Sequence, residues 1–516
     1  MNLASISSRL RLILASHDID VGRVAFLATV VFAGATFWFV PRLPMTDLPQ
    51  HAGQVALWHD MLLGKSKWQS LLYINYFTPY LAGAGFALPL SFLMPVSAAL
   101  KLVLTVAYYG FVAASVALRR RLGGDPRLDW LFIPGFFGYA YAWGFYTFLV
   151  AVPIGMLFIV LAHRYAGRPT PILGAVLVLL DLVLFFSHGL VFLYANCIGG
   201  VFLLLGRRRL APLLVAMLPY AAVGLWCVAY VLVRPRLAGD SLDDMLGTFG
   251  WDSSRLNFLV LSIAWPVGDV DADWRLGPLV LLMLAAPIAL GARLNRRDSS
   301  AFAPLLVTVL LWVLVPFSGV WSLYQRFALF LLPFYAVIFR PPERVTRRVI
   351  LWIWLPVVSW AFLAVHVERL FAFAKESAGF DEVLAVTEPG QRAFALIFDA
   401  TSAAAGHDNP YLHLPLWYEA EKGGFVDFNF AVFPQEVVRY RPNRVPAAFK
   451  GPPWAWRPGR HFDRKWLEDA SYRYFFVRNT APLPPAFFPA DCQPKLLKSA
   501  GSWSVFENVN CFQERK

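Results

Sequence analysis

Apolar residues in the first 366 positions of the chain fall into long blocks, and short polar gaps separate the blocks. Each block has about 17 to 22 residues, which is enough for a helix to cross a hydrocarbon core of about 30 Å at about 1.5 Å per residue. Further along, short strand-like runs such as RAFALIFDA alternate with segments rich in turn residues. Because unpaired backbone cannot sit in lipid, this pattern predicts a mainly α membrane protein, a polytopic helical bundle with a C-terminal α/β domain.

The basic residues set the expected direction of each span. They cluster in the short gaps, as in Arg119–Arg121 and Arg207–Arg209, which is how the positive-inside rule marks cytoplasmic turns. Residues 79–96 are long enough to span, but a span there would place Arg119–Arg121 outside. We therefore predict that 42–97 is one outer loop with short amphipathic or re-entrant helices. About eleven spans result, at residues 22–41, 98–118, 128–143, 146–163, 171–187, 189–205, 211–233, 277–292, 301–317, 323–340 and 349–366.

This topology divides the chain into two parts. Residues 1–369 form a transmembrane domain with large outer loops at 42–97 and 234–276, and residues 370–516 form a soluble extracytoplasmic domain. The first apolar block has no cleavage site behind it, so it is expected to be a retained helix with the N-terminus in the cytoplasm. The expected location is the inner (plasma) membrane of a bacterium, with the C-terminal domain in the periplasm.

The four cysteines divide between these two parts. Cys492 and Cys511 lie in the C-terminal domain, where an oxidising compartment makes a disulfide between them the expected state. Two unpaired cysteines are the alternative. Cys197 and Cys227 lie in apolar segments, where cysteine acts as a small packing residue.

The composition agrees with a membrane protein, and the absence of several motifs argues against some classes of function. The chain is 58% hydrophobic and 15% charged, whereas a soluble domain has about a quarter charged residues. Its net charge of +13 comes from the basic turns and does not indicate nucleic acid as a partner. The sequence has no Walker-type phosphate loop, dinucleotide glycine fingerprint, HExxH or CxxC pair, so nothing in it supports ATP-driven transport or nicotinamide redox chemistry.

The first candidate for chemistry is Asp47, in the segment Pro44–His51 that directly follows the first helix. A carboxylate at the membrane–water boundary is partly desolvated, and it could take a proton from a hydroxyl nucleophile while a lipid-borne substrate approaches. Gln50 and His51 follow it within one helical turn and are candidate substrate-binding residues. The alternative is that Asp47 only caps the next helix, with Pro49 in its first turn.

The second candidate is Arg326, which stands with Tyr324 at the head of a late span. An arginine at this depth is costly unless it is paired, and its planar fork suits phosphate oxygens. The alternative is an interfacial arginine that snorkels beside the aromatic residues Trp321 and Tyr324. His188, at another outer turn, could face the same cavity, or it could be a structural histidine with satisfied hydrogen bonds.

Two groups of residues could bind a metal ion. The acidic run Asp269–Asp273 has alternating carboxylates that could bind a divalent cation, but it lacks the glycine and distal glutamate of an EF-hand loop. His407, Asp408 and His413 form a weaker candidate. Solvated loop residues and surface polar groups are the expected roles, so no metal ligand or cofactor is assigned, and a divalent cation stays an open option.

The layout of these residues resembles the GT-C superfamily of integral-membrane glycosyltransferases, which use polyprenyl-phosphate-linked sugars. The first helix leads into a long outer loop with Asp47 at its start and short juxtamembrane helices after it. An Arg-Phe motif, in Tyr324–Phe327, heads a late span and is followed by Leu331–Pro333. The resemblance covers essentially the whole chain, including the C-terminal soluble domain.

The resemblance implies transfer of a sugar from a polyprenyl-phosphate donor to a glycan, lipid or protein acceptor of the cell envelope, at the outer face of the membrane. Asp47 would act as the general base or would orient the acceptor, and Arg326 would contact the lipid phosphate. The lipid bilayer, the donor and the acceptor are the implied partners. One departure is that the turn Tyr139–Thr147 lacks the second acidic residue that many such enzymes carry in the next outer loop, often near a metal.

Two other functions are compatible with the same scaffold, because a fold does not establish an activity. A non-catalytic transporter, flippase or polysaccharide-assembly protein would need polar residues along a path through the membrane, where Asp181 is the main candidate. A structural envelope protein would instead carry an exposed apolar patch on 370–516 for a partner.

Overall fold

A computed structural model describes most of the chain, namely residues 21–206, 209–238, 275–314, 322–343, 349–405, 409–442, 444–445, 472–483, 487–488, 490 and 492–509. The acidic run Asp269–Asp273 lies outside the described residues, as do His407, Asp408, Cys511 and Trp321.

Helices make up most of the described chain, and strands are concentrated near its C-terminal end. The α-helices are α1 (Val21–Ala35), α2 (Leu48–Leu62), α3 (Leu81–Ser91), α4 (Val96–Arg121), α5 (Tyr139–Ala142), α6 (Tyr146–Gly167), α7 (Pro171–Ser187), α8 (Gly189–Gly206), α9 (Leu210–Ala216), α10 (Leu218–Ala238), α11 (Leu276–Ala289), α12 (Ala303–Leu314), α13 (Leu323–Arg326), α14 (Leu331–Val337), α15 (Val349–Ala385) and α16 (Trp417–Lys422). The strands are β1 (Leu72–Ile74), β2 (Arg293–Leu294), β3 (Phe339–Arg340), β4 (Arg392–Ile397), β5 (Phe425–Asp427), β6 (Val438–Tyr440), β7 (Tyr474–Arg478), β8 (Lys495–Ala500) and β9 (Trp503–Glu507).

Within the described ranges, five helices are long and apolar enough to cross a membrane. They are α1 with the turn that follows it, α4, α6, α8 and the part of α15 from Ile353. A sixth span results if α9 and α10, which are bent by 52° at their junction, cross together. The apolar helices α3, α7 and α11 are shorter, as is the stretch Ser299–Leu314. The chain is therefore a multi-pass membrane protein, and the number of eleven spans stays a prediction.

Two of the expected spans are not continuous α-helices. Residues 128–143 fall in two 3₁₀ segments, Pro126–Phe132 and Pro134–Phe136, and in the single turn α5. Their prolines remove backbone donors and favour the tighter turns. Residues 323–340 are also divided, into α13, a 3₁₀ segment and α14. Neither of these two expected spans is therefore one continuous α-helix in the structure.

The segment between α1 and α4 contains short helices, as the sequence predicts. Helix α3 has 11 residues, or roughly 16 Å at 1.5 Å per residue, which is about half of the hydrocarbon thickness. Pro89 lies inside α3, and Pro95 stands at the N-cap of α4. Because proline cannot continue a helix from the preceding turn, these two prolines are consistent with the end of α3 and the start of α4.

The C-terminal sheet has five strands in the order β5-β4-β7-β9-β8. Strand β4 is parallel to both β5 and β7, while β7, β9 and β8 are antiparallel neighbours. Helix α15 is 37 residues long and continues past residue 369 to pack on this sheet, where Phe380 contacts the rings of Phe476 and Trp503. One continuous helix thus joins the apolar bundle to the sheet.

The C-terminal region also packs directly on the segment between α1 and α4. Strand β1 pairs antiparallel with β6, from Leu72↔Tyr440 to Ile74↔Val438. Helices α2 and α16 pack closely, since a Cβ on Gly53 of α2 would collide with the Glu419 carboxylate of α16. Arg42, just after α1, forms ion pairs with Asp381 and Glu421, each at 2.6 Å. These contacts bring the C-terminal region beside the N-terminal end of α2.

Candidate active site

The chain between α1 and α2 places Asp47 against the turn that precedes α6. The backbone N–H groups of Thr46 and Asp47 donate to the carbonyl oxygens of Ala142 at 3.2 Å and Trp143 at 2.9 Å. Gly144 has a left-handed φ of 74°, and a Cβ there would lie 2.9 Å from the backbone nitrogen of Asp47. This close approach requires glycine, and it fixes the backbone of Asp47.

The Asp47 side chain does not cap α2. Asp47 stands at the N-cap position, yet its carboxylate accepts no capping hydrogen bond. The carboxylate is buried with 8% of the residue exposed, and its Oδ1 lies 3.4 Å from Nε2 of His413. Burial raises the pKa of Asp47 to about 8, although the positive charge of Arg326 acts to lower it. The carboxyl group therefore titrates at about pH 8 and can act as a general base once it is ionised.

His413, expected to be a surface polar group, is instead buried at this site. It is 3% exposed, and its ring stacks on Phe428 with 5.0 Å between the ring centroids. Burial, with the nearby His51 as a second cause, lowers the pKa of His413 to about 3, so the imidazole is neutral at neutral pH. The surface assignment is wrong because the docking of the C-terminal region covers this residue.

Gln50 and Gln54 lie one turn apart on α2 and both bind backbone of the C-terminal region. The Gln50 amide donates to the Phe428 carbonyl oxygen at 2.7 Å and accepts from the Phe430 N–H at 2.9 Å. Its nitrogen also lies 3.1 Å from Nδ1 of His413. The Gln54 amide accepts from the Val438 N–H at 2.8 Å and donates to the Val438 carbonyl oxygen at 3.1 Å. Protein groups therefore bind the hydrogen-bonding atoms of Gln50.

Arg326 reaches the same site from the end of α13. Its Cζ lies 3.8 Å from the ring centroid of Phe145, and its guanidinium donates a hydrogen bond to the Tyr80 hydroxyl. Its charge acts on Asp47, as described above, and on His51. Arg326 is thus held over an aromatic ring within electrostatic range of Asp47, which differs from a side chain that snorkels away from the protein.

The two other sequence-predicted histidines also face this site. The His51 ring lies 5.5 Å from Tyr146 between centroids, and burial, with Arg326 as a second cause, lowers its pKa to about 3. His188 is 1% exposed and stacks on Tyr80 at 5.1 Å, within electrostatic range of Arg326 and His51. Neither ring nitrogen of His188 has a hydrogen-bond partner among the described residues. Described protein groups therefore do not satisfy the hydrogen-bonding capacity of His188.

A second buried carboxylate, Glu436, lies within electrostatic range of Asp47. The outer segment holds it in place, since Asn75 donates to the Glu436 carbonyl oxygen at 3.2 Å and Thr78 donates to that of Gln435. Glu436 is 3% exposed, and burial, followed by the charge of Asp47, raises its pKa to about 8. The turn Tyr139–Thr147 has no acidic residue, and the C-terminal region places one near Asp47 instead.

Tyr324 is buried with 2% of the residue exposed, and its ring packs 6.1 Å from that of Trp312 between centroids. Cys492 is buried as well, while Cys511 lies outside the described residues, so their pairing stays a prediction. Across the described ranges, no group of three or more His, Cys, Asp or Glu side chains is placed to hold a metal ion. The acidic run Asp269–Asp273 is not among those residues.

Three residues of this site carry no local signal in the sequence that would assign them to it. Tyr80 stands in a stretch rich in aromatic residues, and Glu436 and His413 are isolated polar residues in the C-terminal region. Their proximity to Asp47 depends on the pairing of β1 with β6 and on the packing of α16 against α2. Sequence reasoning could find Asp47 and Arg326, because each stands at the end of an apolar block.

Comparisons with known proteins give one structural match. No family model matches the chain, and no curated protein matches its sequence. A solved structure that matches is the single-particle cryo-EM structure of the arabinofuranosyltransferase AftD from Mycobacteria, with 14% identity and a TM-score of 0.49. The match covers 95% of this chain and 40% of that chain, so this chain spans less than half of the AftD length.

Proposed function

We propose that this chain is a membrane glycosyltransferase of the GT-C type, which transfers a sugar from a polyprenyl-phosphate donor to a cell-envelope acceptor. The observation that carries the proposal is the convergence of Asp47 and Arg326. They come from opposite ends of the membrane domain, yet the guanidinium lies close enough to act on the pKa of the carboxyl. A buried base beside a cation that suits phosphate is the pair that this reaction requires.

In the proposed reaction, Asp47 accepts the proton of an acceptor hydroxyl as that oxygen attacks the anomeric carbon of the sugar. The bond between the anomeric carbon and the phosphate oxygen breaks, and polyprenyl phosphate leaves. Negative charge grows on the phosphate as the bond breaks, so a fixed guanidinium stabilises the transition state more than the ground state. Arg326 is well suited to this because Phe145 and Tyr80 hold its guanidinium in place.

The histidines are proposed to bind the polar groups of the donor. His188 offers two ring nitrogens that have no hydrogen-bond partner among the described residues, and His51 lies within electrostatic range of it. A neutral imidazole can donate from one nitrogen and accept at the other, which matches a sugar hydroxyl or a phosphate oxygen. Tyr324 remains a proposed contact to the donor, and Gln50 is proposed to act through His413.

The finer assignments belong to the same proposal. The enzyme would act at the outer face of a bacterial inner membrane, with about eleven spans, a cytoplasmic N-terminus and a periplasmic C-terminal domain. A disulfide between Cys492 and Cys511 would suit that compartment. The acceptor would be a glycan, lipid or protein of the cell envelope.

The proposal is tested with purified protein in lipid nanodiscs and a panel of polyprenyl-phosphate sugars. Release of polyprenyl phosphate and the transfer or hydrolysis of sugar are measured for the wild type and for Asp47→Asn. The expected result is turnover by the wild type and a loss of at least about a hundredfold in kcat for Asp47→Asn, because general base catalysis contributes roughly 10²- to 10⁴-fold.

The matched control is Asp60→Asn, which removes a half-buried carboxylate from the last turn of the same helix, α2. This variant should keep wild-type turnover. If no donor is consumed by the wild type, or if Asp47→Asn is as active as Asp60→Asn, the proposed function is wrong.

A transporter would need a polar path through the spans, and the structure gives Asp181 a local partner instead. The Asn196 amide donates to Asp181 Oδ1 at 2.8 Å, which links α7 to α8. A carboxylate that is already hydrogen-bonded between two neighbouring helices is well explained by helix packing. Asp181 therefore does not favour a transporter over the proposed transferase.

A further inference from the structure

We infer that His413 is a positioning residue for Asp47: its Nε2–H donates to the Asp47 carboxylate and holds it in the orientation and ionisation state that a base needs. This inference rests on the proposed function for its catalytic meaning. In structural terms, it means that the C-terminal region completes the site around Asp47. His413 lies just before α16, far from Asp47 and α2 in the chain.

The hydrogen bonds of Gln50 determine which nitrogen of His413 carries the proton. The backbone N–H of Phe430 can only donate, so the atom of Gln50 that it contacts at 2.9 Å must be the amide oxygen. The Phe428 carbonyl can only accept, so the atom that it contacts at 2.7 Å must be the amide nitrogen. The orientation of the Gln50 amide is therefore fixed by two backbone groups with opposite roles.

The same amide nitrogen lies 3.1 Å from Nδ1 of His413. Because an amide nitrogen donates and cannot accept, Nδ1 must be the acceptor, which places the ring proton of the neutral imidazole on Nε2. Nε2 is the atom that lies 3.4 Å from Asp47 Oδ1. The tautomer that Gln50 selects is thus the one that can donate to the Asp47 carboxylate.

Phe428, whose ring stacks on His413, has a backbone conformation that is uncommon for a bulky residue. Phe428 has a left-handed φ of 74°, which a bulky residue rarely adopts without a constraint. In this conformation its carbonyl oxygen accepts from Gln50 while its ring stacks on His413. Such strained residues concentrate at functional sites, which supports a fixed position for this imidazole.

Several groups besides His413 face Asp47, and a test must separate their effects. Arg326 from α13, Tyr80 before α3 and Glu436 before β6 lie within electrostatic range of Asp47, and His51 from α2 lies within that range of His413. A donated hydrogen bond stabilises the ionised form of a carboxyl group. Removal of the His413 donor, with the other four groups unchanged, should therefore make Asp47 harder to ionise.

The test compares His413→Phe, which keeps a ring but removes both nitrogens, with His413→Gln, which keeps an N–H donor but removes the ring. The pH midpoint of Asp47 ionisation is measured from the infrared C=O stretch of its protonated form, obtained by subtraction of the Asp47→Asn spectrum. For His413→Phe we expect a midpoint about one pH unit higher, and a kcat about tenfold lower below that midpoint with an unchanged KM for the donor. His413→Gln should stay within about threefold of the wild type.

If His413 served only in packing, His413→Phe would be affected less than His413→Gln, because phenylalanine preserves the stack on Phe428. If His413→Phe has the midpoint and kcat of the wild type, or if both variants lose kcat equally, the inference is wrong. The infrared midpoint needs no turnover, so an inactive wild type would refute the proposed function while the position of His413 remains measurable.

A second pair of variants tests the inference without a change to His413. Gln50→Leu removes the donor to Nδ1, while Gln54→Leu removes a similar amide that binds the C-terminal region one turn along α2 but has no hydrogen bond to His413. The midpoint of Asp47 should rise in Gln50→Leu and stay unchanged in Gln54→Leu. Equal midpoints in the two variants would overturn the assignment of the tautomer.

Discussion

Asp47 stands at the N-cap of α2 without capping it, and its Oδ1 lies 3.4 Å from Nε2 of His413. An N-cap aspartate ordinarily accepts a hydrogen bond from the first turn of its helix. Here the carboxylate lies beside His413 of the C-terminal region and within electrostatic range of Arg326, while backbone contacts to Ala142 and Trp143 fix the chain at this point. A buried carboxylate that does not make the capping hydrogen bond available to it is a candidate catalytic group.

The first prediction concerns the pH dependence of transfer. Burial raises the pKa of Asp47 from 3.8 to about 8, so the carboxyl group is mostly protonated at pH values below that and cannot accept a proton. We expect kcat/KM to rise about tenfold per pH unit up to about pH 8 and to level off above it. Initial rates in nanodiscs across this range, with one donor and one acceptor, provide the measurement.

Two variants serve as controls for this profile. Asp60→Asn should keep the same rise, and Asp47→Asn should give a low rate that does not change with pH in this range. A flat wild-type profile from about pH 6 to about pH 9 would show that Asp47 is not the base.

The second prediction concerns Arg326. Because its charge lowers the pKa of Asp47, Arg326→Leu should move the rise in kcat/KM to higher pH. It should also lower kcat/KM for the donor by about 10- to 100-fold, through weaker phosphate binding and weaker transition-state stabilisation, since a charge-assisted hydrogen bond contributes about 1.5 to 3 kcal/mol. Arg326→Lys keeps the charge but loses the planar fork, so it should restore the pH profile and only part of the affinity.

The outcome for Arg326→Lys separates the two roles of Arg326. A lysine variant that restores neither the pH profile nor the affinity would show that Arg326 acts through the stack of its guanidinium on Phe145 and not through its charge. A leucine variant with the wild-type kcat and KM, measured above the pH midpoint of Asp47, would remove Arg326 from the phosphate site.

The parts of this architecture that follow from local pattern could be predicted from the sequence. The long apolar helices, the short helix α3 and the position of Asp47 after α1 all depend on residues within a few turns of one another. Arg326 was detectable for the same reason, since a charged residue at the head of an apolar block is costly unless a partner is near. These features need no knowledge of which distant segments touch.

The rest of the site depends on contacts that are distant in the chain. His413 and Glu436 reach Asp47 through the β1–β6 pairing and the packing of α16 on α2, and neither contact has a periodic signal in the sequence. Apolar content also cannot distinguish one straight span from buried 3₁₀ turns, which is why 128–143 was predicted as a single helix. Contacts between segments that are distant in the chain, rather than local propensity, decide where His413 and Glu436 lie and which backbone conformation residues 128–143 adopt.

The third prediction concerns the ring nitrogens of His188, which have no hydrogen-bond partner among the described residues. A buried polar group without a hydrogen bond costs about 1 to 3 kcal/mol. His188→Phe keeps the stack on Tyr80 and removes this cost, so it should raise the free energy of unfolding by about 1 kcal/mol while it weakens donor binding. Unfolding in nanodiscs and donor titration measure the two effects.

His59 provides the matched control for His188. Its ring stacks on Phe92 at 4.3 Å, and its Nδ1 has a hydrogen-bond partner in Ser91 at 2.8 Å. His59→Phe loses that hydrogen bond and should not stabilise the protein. If His188→Phe is destabilised as much as His59→Phe and binds donor normally, His188 has a structural role only.

The last prediction concerns Glu436 and the pH dependence of stability. Burial and the charge of Asp47 raise its pKa from 4.5 to about 8, so between these values the folded protein binds a proton that the unfolded chain releases. The stability that Glu436 contributes is therefore fully present below about pH 4.5 and is lost as pH rises to about 8. Glu436→Gln cannot ionise, so its Tm should fall less than that of the wild type between about pH 5 and about pH 9.

Glu382→Gln, which alters an exposed carboxylate on α15, should follow the wild type. Parallel curves for Glu436→Gln and the wild type would show that Glu436 titrates like an exposed carboxyl and does not share a buried site with Asp47.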